Sequence, residues 1–178
     1  MAAATADALE RAMRVRLMLF DVDGVLTDGR LWFGAAGEAF KCFDARDGHG
    51  LKMLMQAGLA VGLLSGRDSP AVAARAAELG IAHVLQGVAD KRTAFERLLA
   101  QLGVEAAAAG FMGDELVDLP VLTRCGFACV PGEAPPLVRR HAHYVCAAPA
   151  GAGAAREACE YVLRAQGRLE PLLAQYLQ

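Results

Sequence analysis

Asp21 and Asp23 stand one residue apart, directly after the apolar run Leu17-Met18-Leu19-Phe20, in the string Asp21-Val22-Asp23-Gly24-Val25-Leu26-Thr27-Asp28. The run reads as a buried strand, and residues i and i+2 of a strand share a face. Two carboxylates on one face repel, so a bound cation or a catalytic task must offset the repulsion. Three further signals follow the same logic. Ser65-Gly66-Arg67 comes after the apolar run 59–64, Lys91 sits at the start of a helix that Asp90 caps, and Gly113-Asp114-Glu115-x-x-Asp118 follows the run 110–112. Each alone has an ordinary explanation: a turn, a solvated lysine, a helix cap. Their succession at the C-terminal edges of strands, where open α/β sheets bind ligands, is specific.

The residue types match the needs of a phosphate monoester. The Ser65 hydroxyl, the Gly66 N–H and the Lys91 ammonium are donors suited to a phosphate dianion. Mg²⁺ takes a few hard oxygens and keeps waters. Asp21, the Asp23 carbonyl oxygen and Asp114 supply such oxygens. In this arrangement Asp21 attacks phosphorus to form an aspartyl-phosphate. Asp23 protonates the leaving alkoxide and then deprotonates the hydrolytic water.

The intervening sequence must position these groups. Residues 16–20 read as the first strand, and 30–33 with 38–43 as a hairpin around the four-residue turn Gly34-Ala35-Ala36-Gly37. A helix is expected from Asp47 or Gly48 to Ala57, ended by Gly58. Strand 59–64 is followed by a helix that Ser69 caps and Pro70 opens, ending at Gly80. Then come strand 83–85, helix 91–102, strand 110–112, helix 116–124, strand 127–130, short helix 135–140, strand 143–145 and helix 154–165. Residues 1–8 read as a frayed arm or a short helix, and the tail 169–177 has roughly helical apolar spacing. Alternating strands and helices predict an α/β fold: a Rossmann-like parallel sheet with helices on both faces and a small β-hairpin flap. The gaps between the four signals are too short for a separate cap domain. Residues 1–15 are expected as an arm, 16–167 as the domain and 168–178 as a tail.

Composition narrows the class. The 178 residues are 55% hydrophobic with a net charge of −2, which argues against a nucleic-acid binder. No stretch reaches the roughly 18 apolar residues of a membrane span. The five cysteines form no CxxC pair, and no secretory leader is apparent. Both features point to reduced thiols in the cytoplasm. His49 reads as a packing or interface residue, and His141-x-His143 as a solvated edge.

The motif set resembles the phosphatase form of the haloacid dehalogenase-like superfamily. Asp44-Ala45-Arg46-Asp47-Gly48-His49-Gly50, Ser65-Gly66-Arg67, Gly113-Asp114-Glu115-x-x-Asp118-x-Pro120-Val121 and Arg156-Glu157 narrow the resemblance. Together they resemble the 3-deoxy-D-manno-octulosonate 8-phosphate phosphatase family of lipopolysaccharide sugar synthesis. The resemblance covers about residues 17–167, and the stretch from Lys41 to Gly50 is its family-specific part. It implies that Asp44, Ala45, Arg46, Asp47 and Gly48 contact the sugar acid, together with Lys52, Arg67 and Arg75. It also implies a Mg²⁺ cofactor and a homotetramer in which the hairpin and a neighbour's tail close the site.

The chain departs from that pattern in places. Glu115 stands where a second aspartate is usual, Asp44 where asparagine is common, Lys52 where arginine is common, and Ala152 where a basic residue often lies. The changes at residues 44 and 52 concern the sugar-acid end, and that at 152 removes one contact near the site. A nine-carbon sugar-acid phosphate is therefore an alternative substrate. A general small-metabolite phosphatase and a non-catalytic oligomerisation module of the same fold are the other readings.

Overall fold

Alternation along Leu17–Phe20 sets the architecture. Leu17 and Leu19 enter one apolar cluster while Met18 and Phe20 enter another, so the strand is buried on both faces. The computed structural model describes residues 2–177. Its elements in chain order are β1 (Ala3–Ala4), α1 (Ala8–Met13), β2 (Leu17–Phe20), β3 (Trp32–Gly34), β4 (Gly37–Phe40), α2 (Ala45–Gln56), β5 (Ala60–Leu64) and α3 (Pro70–Leu79). There follow β6 (His83–Leu85), α4 (Lys91–Leu102), β7 (Ala109–Met112), α5 (Leu119–Leu122), β8 (Phe127–Val130), α6 (Pro136–Arg139), β9 (Tyr144–Val145), α7 (Ala154–Ala165) and α8 (Leu169–Gln175).

The main sheet runs β1-β9-β8-β7-β2-β5-β6, parallel throughout except for β1. From β2 the chain builds outward through β5 and β6, then returns to the other side of β2 with β7. The topological switch point therefore lies beside β2, and its C-terminal edge is the expected binding crevice. One layer packs residues of α2, α3, α7 and α8 on the sheet, including Leu51, Leu54, Ala76, Cys159, Val162 and Leu172. The opposite layer brings Phe95, Leu98, Leu122 and Val138 from α4, α5 and α6. The expected α/β sheet with two helical layers and a separate two-stranded flap is thus observed.

Several boundaries differ from the sequence expectation for identifiable reasons. Helix α2 starts at Ala45, because the Asp44 carboxylate accepts the Arg46 N–H and caps it two residues earlier than expected. In the hairpin, Gly34 pairs with Gly37, so the turn is the two residues Ala35 and Ala36. The expected helix 116–124 is broken into a 3₁₀ turn, Leu116–Asp118, and the short α5, with Glu115 and Asp118 forming a capping box. Ser69 and Pro70 do open α3, but the Ser69 hydroxyl donates to Glu38 of the flap instead of capping the helix.

At the N-terminus, Ala3–Ala4 pairs antiparallel with β9, and Ala8 and Ala12 of α1 are buried. The tail forms α8, with Leu169 and Leu172 buried and Tyr176 edge-on to His49 of α2. Gly50 lets α2 and α7 approach closely, since a Cβ there would lie 3.0 Å from Arg156 Cα.

Candidate active site

The C-terminal ends of β2, β5 and β7 and the start of α4 converge on a cleft of about 250 Å³, lined among others by Asp21, Asp23, Ser65, Gly66, Arg67, Lys91 and Asp114. All the residues expected to bind phosphate or metal, or to act on phosphorus, are thereby brought together. Asp21, Ser65 and Asp114 arrive by the same route: an apolar strand buried by the core ends, and the first polar side chain after it is left at the crevice, while Lys91 comes from the first turn of α4.

Asp21 is buried. Its Oδ1 accepts the Val22 N–H at 2.7 Å, and its Oδ2 lies 2.8 Å from Lys91 Nζ. Lys91 Nζ also meets Asp118 Oδ1 at 2.7 Å. The other oxygen of Asp118 accepts the N–H groups of Asp114 and Glu115 at 2.9 and 3.1 Å. Asp118 is therefore fully engaged: it holds Lys91 with one oxygen and shapes the β7 loop with the other. Burial disfavours the Lys91 ammonium, but the carboxylates of Asp21 and Asp118 outweigh it and raise its pKa above the ordinary lysine value.

The acids respond in the opposite sense. Burial, reinforced by Asp118, pushes Asp21 up to about 6 against the pull of Lys91. Burial, with Asp118 and Asp21 nearby, pushes Asp114 up to about 8. Asp114 Oδ1 is buried without a hydrogen-bond partner. Carboxylate oxygens of Asp21, Asp114 and Asp118 lie within 4.8 Å of one another. An acidic cluster with one orphaned oxygen, in hard-oxygen chemistry, fits Mg²⁺. Asp118 serves Lys91 and two N–H groups and Asp21 serves Val22 and Lys91, so Asp114 Oδ1 is the one buried carboxylate oxygen of the three acids left without a partner among the described residues. The Asp23 carbonyl, the third expected ligand, accepts no hydrogen bond among the described residues. Gly24 adopts φ +83°, and a Cβ there would lie 2.0 Å from Asp114 Oδ2, so only glycine leaves room for that carboxylate.

Asp23 Oδ1 meets Lys41 Nζ at 2.5 Å, and Lys41 is buried between Asp23 and Glu38. The Arg67 guanidinium lies 3.6 Å from Asp23 Oδ2 and 5.6 Å from the Phe33 ring centroid. Sequence reasoning assigned no role to Lys41 or Glu38. The available signal was a glutamate and a lysine three residues apart bracketing Phe40. Ser65 is buried, and its Oγ accepts the Arg67 N–H at 3.3 Å.

The residues expected at the sugar-acid end separate. Arg67 lines the cleft. Asp44, Asp47, Gly48 and Arg75 instead gather with Leu26 and Phe43 in a small cavity at the start of α2, outside the cleft lining. Ala45 and Arg46 are exposed beside it; the Arg46 guanidinium is bound to Asp44 at 2.7 Å and donates to the Ala152 carbonyl at 3.1 Å. Lys52 is exposed and forms no ion pair among the described residues. The buried Asp47 carboxylate accepts the Gly153 and Arg156 N–H groups at 3.2 and 2.8 Å and so caps the start of α7 from outside. Gly48 is buried for packing: a Cβ there would lie 2.3 Å from the Arg75 guanidinium.

Comparison with known proteins agrees with this geometry. Residues 77–157 match the haloacid dehalogenase-like hydrolase family. The chain is 40% identical over 164 residues to the 3-deoxy-D-manno-octulosonate 8-phosphate phosphatase KdsC of Yersinia pestis, covering 92% of this chain and 88% of that protein. It superposes on the crystal structure of a probable YrbI-family phosphatase from Pseudomonas syringae with a TM-score of 0.95 and 44% identity, covering 98% and 99% of the two chains. It also superposes on the 3-deoxy-D-manno-octulosonate 8-phosphate phosphatase of Moraxella catarrhalis, a structure in complex with magnesium ion, phosphate ion and KDO, with a TM-score of 0.93 and 35% identity over 97% and 99% of the chains. With relatives of this similarity spanning nearly its whole length, and the paired acids, lysine and third carboxylate assembled at one sheet edge, the chain belongs to the haloacid dehalogenase-like phosphatases of the 3-deoxy-D-manno-octulosonate 8-phosphate phosphatase family.

Proposed function

We propose that this protein is a Mg²⁺-dependent phosphatase that hydrolyses 3-deoxy-D-manno-octulosonate 8-phosphate to the free sugar acid and phosphate through an aspartyl-phosphate on Asp21. The observation that carries this reading is the buried chain Asp21–Lys91–Asp118 beside the unpartnered oxygen of Asp114.

Bound Mg²⁺, held by Asp21, Asp114 and the Asp23 carbonyl, supplies positive charge that lets an anionic phosphate approach a carboxylate. The chain's own residues do the rest. Ser65, the Gly66 N–H and Lys91 bind the phosphate oxygens, and Lys91 also aims Asp21. Asp21 forms the bond to phosphorus as the sugar oxygen departs. Asp23 transfers its proton to that oxygen, then takes a proton from water as water attacks the aspartyl-phosphate and frees Asp21. Arg67, which lines the cleft, is the residue proposed to meet the substrate's second anion.

Trp32 stacks on Phe40 at 5.1 Å, and both, with Phe33, are exposed on the flap. Uncovered aromatic surface next to an open cleft supports assembly into a homotetramer, which light scattering coupled to size exclusion tests. No helix among the described residues is long and apolar enough to cross a membrane, and the five cysteines are unpaired; these features support a cytoplasmic enzyme.

The test is phosphate release from eight-carbon and nine-carbon sugar-acid phosphates, a hexose phosphate and a nucleotide, with Mg²⁺ and with chelator. Preference for the eight-carbon acid, abolished by chelator, is expected. Preference for the nine-carbon acid would move the substrate assignment, and no release from folded protein would overturn the catalytic reading.

A further inference from the structure

Asp23 must both give and take a proton, and its two oxygens have different surroundings. Oδ1 is bound by Lys41 Nζ at 2.5 Å. Oδ2 is buried with no hydrogen-bond partner, and the Arg67 Nε at 3.6 Å is likewise unpartnered. Lys41 itself has a side chain only 2% exposed, and its second partner is Glu38 Oε2 at 3.1 Å. Glu38 is held in turn by the Ser69 hydroxyl at the start of α3 and by the Arg67 guanidinium at 3.4 Å. A buried lysine is costly unless its charge is met by carboxylates, as it is here. The cluster joins the flap, where Glu38 lies on β4 and Lys41 just after it, to the residue two positions beyond the nucleophile.

We propose that Lys41, anchored by Glu38, is a positioning residue that clamps Asp23 Oδ1 and so leaves Oδ2 as the oxygen through which Asp23 exchanges its proton. This inference rests on the phosphatase reading of the cleft. In the first half-reaction the Oδ2–H bond breaks as an O–H bond forms on the departing sugar oxygen, and Asp23 is left as carboxylate. In the second, an O–H bond of water breaks toward Oδ2 while the water oxygen bonds phosphorus and the Asp21–phosphorus bond breaks. Fixing one oxygen removes the rotation by which the carboxylate would otherwise present either oxygen, or neither, to the substrate. It also makes the acid competent only when the flap is seated, because both Lys41 and its anchor belong to the flap.

A residue that merely braces the hairpin and one that aims a proton donor differ in leaving-group dependence. A sugar alkoxide needs protonation as it leaves, whereas p-nitrophenolate departs as a stable anion. The parameter kcat/KM covers the steps up to formation of the aspartyl-phosphate, so it isolates the acid role from the later base role. The experiment measures kcat/KM of the wild type, Lys41→Met and Glu38→Gln on 3-deoxy-D-manno-octulosonate 8-phosphate and on p-nitrophenyl phosphate, with folding checked by circular dichroism. Wild-type turnover of both esters tests the phosphatase reading by itself. The positioning role predicts that Lys41→Met loses at least about tenfold more on the alkyl ester than on the aryl ester. Glu38→Gln, which keeps an acceptor for Ser69, shifts the ratio in the same direction by less. Equal losses on the two esters, or no loss, in Lys41→Met overturn the proposal. If Lys41→Met does not fold, an unchanged ratio in Glu38→Gln overturns it.

Discussion

Lys91 and Asp118 form an ion pair at 2.7 Å across 27 positions of sequence, and Asp118 is completely buried. Lys91 keeps Asp21 as a partner at 2.8 Å, so removing Asp118 leaves the ammonium under-satisfied but not stranded, a loss of about 1–3 kcal/mol. Asp118→Ala also frees two N–H groups of the β7 loop. Chemical denaturation should register destabilisation of that order together with loss of turnover. A midpoint equal to the wild type would remove Asp118 as the clamp of this site.

Asp21 is the nucleophile of the proposed reaction, and asparagine retains its shape and its capacity to accept the Val22 N–H. Asp21→Asn should therefore fold normally and lose at least about a thousandfold in turnover. Acid quenching during turnover should trap phosphoprotein in the wild type and none in the variant. Substantial residual hydrolysis would move the nucleophile elsewhere.

Gly24→Ala tests the metal cluster without touching a carboxylate. An alanine at φ +83° is strained by about 1–2 kcal/mol. Its Cβ also displaces Asp114, a proposed ligand, so metal affinity should fall by at least about 10–100-fold, the loss that follows removal of a ligand's orienting partner. Gly58→Ala is the control: it has the same φ of +83° with nothing within 4 Å of its Cβ. Calorimetric Mg²⁺ titration should find weak binding in the first variant and wild-type binding in the second. Equal affinities would dissociate Asp114 from the metal.

His143 makes the fold sensitive to acid at the β9 edge. Its Nδ1 accepts the Ala128 N–H at 2.8 Å, and its carbonyl accepts the Thr5 N–H that continues the β1 pairing. Burial, then the nearby Arg11, lowers its pKa below 6.5, with Asp7 opposing. The unfolded chain therefore takes up the proton first. The stability His143 contributes is full above pH 6.5 and is lost as pH falls from 6.5 through the lower folded value. His143→Asn, whose amide oxygen can replace Nδ1 as acceptor, should flatten the melting temperature against pH below 6.5. A slope identical to the wild type would show that other groups set the acid limb.

Much of the sheet was legible because continuous apolar strands and glycine-terminated helices are local signals. Leu17–Phe20, Phe127–Val130 and the helix that Asp90 opens and Gly103 ends all fall where periodicity and capping put them. Strand β1 was not legible: two alanines carry no alternation, and they become a strand only by pairing with Tyr144 and Val145. The break at Leu116–Asp118 was hidden because Asp118, which looks like an ordinary first-turn acid, is drawn inward by Lys91 and two backbone N–H groups.

By itself the sequence determined the alternation of the parallel strands with helices, the crevice at the strands' C-terminal ends and the carboxylates that reach it, since a polar residue ending a buried strand has nowhere else to go. Only the tertiary structure decided the partners. It tied Asp47 to the start of α7, closed Arg46 onto Asp44, and set Lys41 between Asp23 and Glu38. Ion pairs act over a few ångströms between residues distant in the chain. They follow from which layers pack together, and local periodicity carries no record of that.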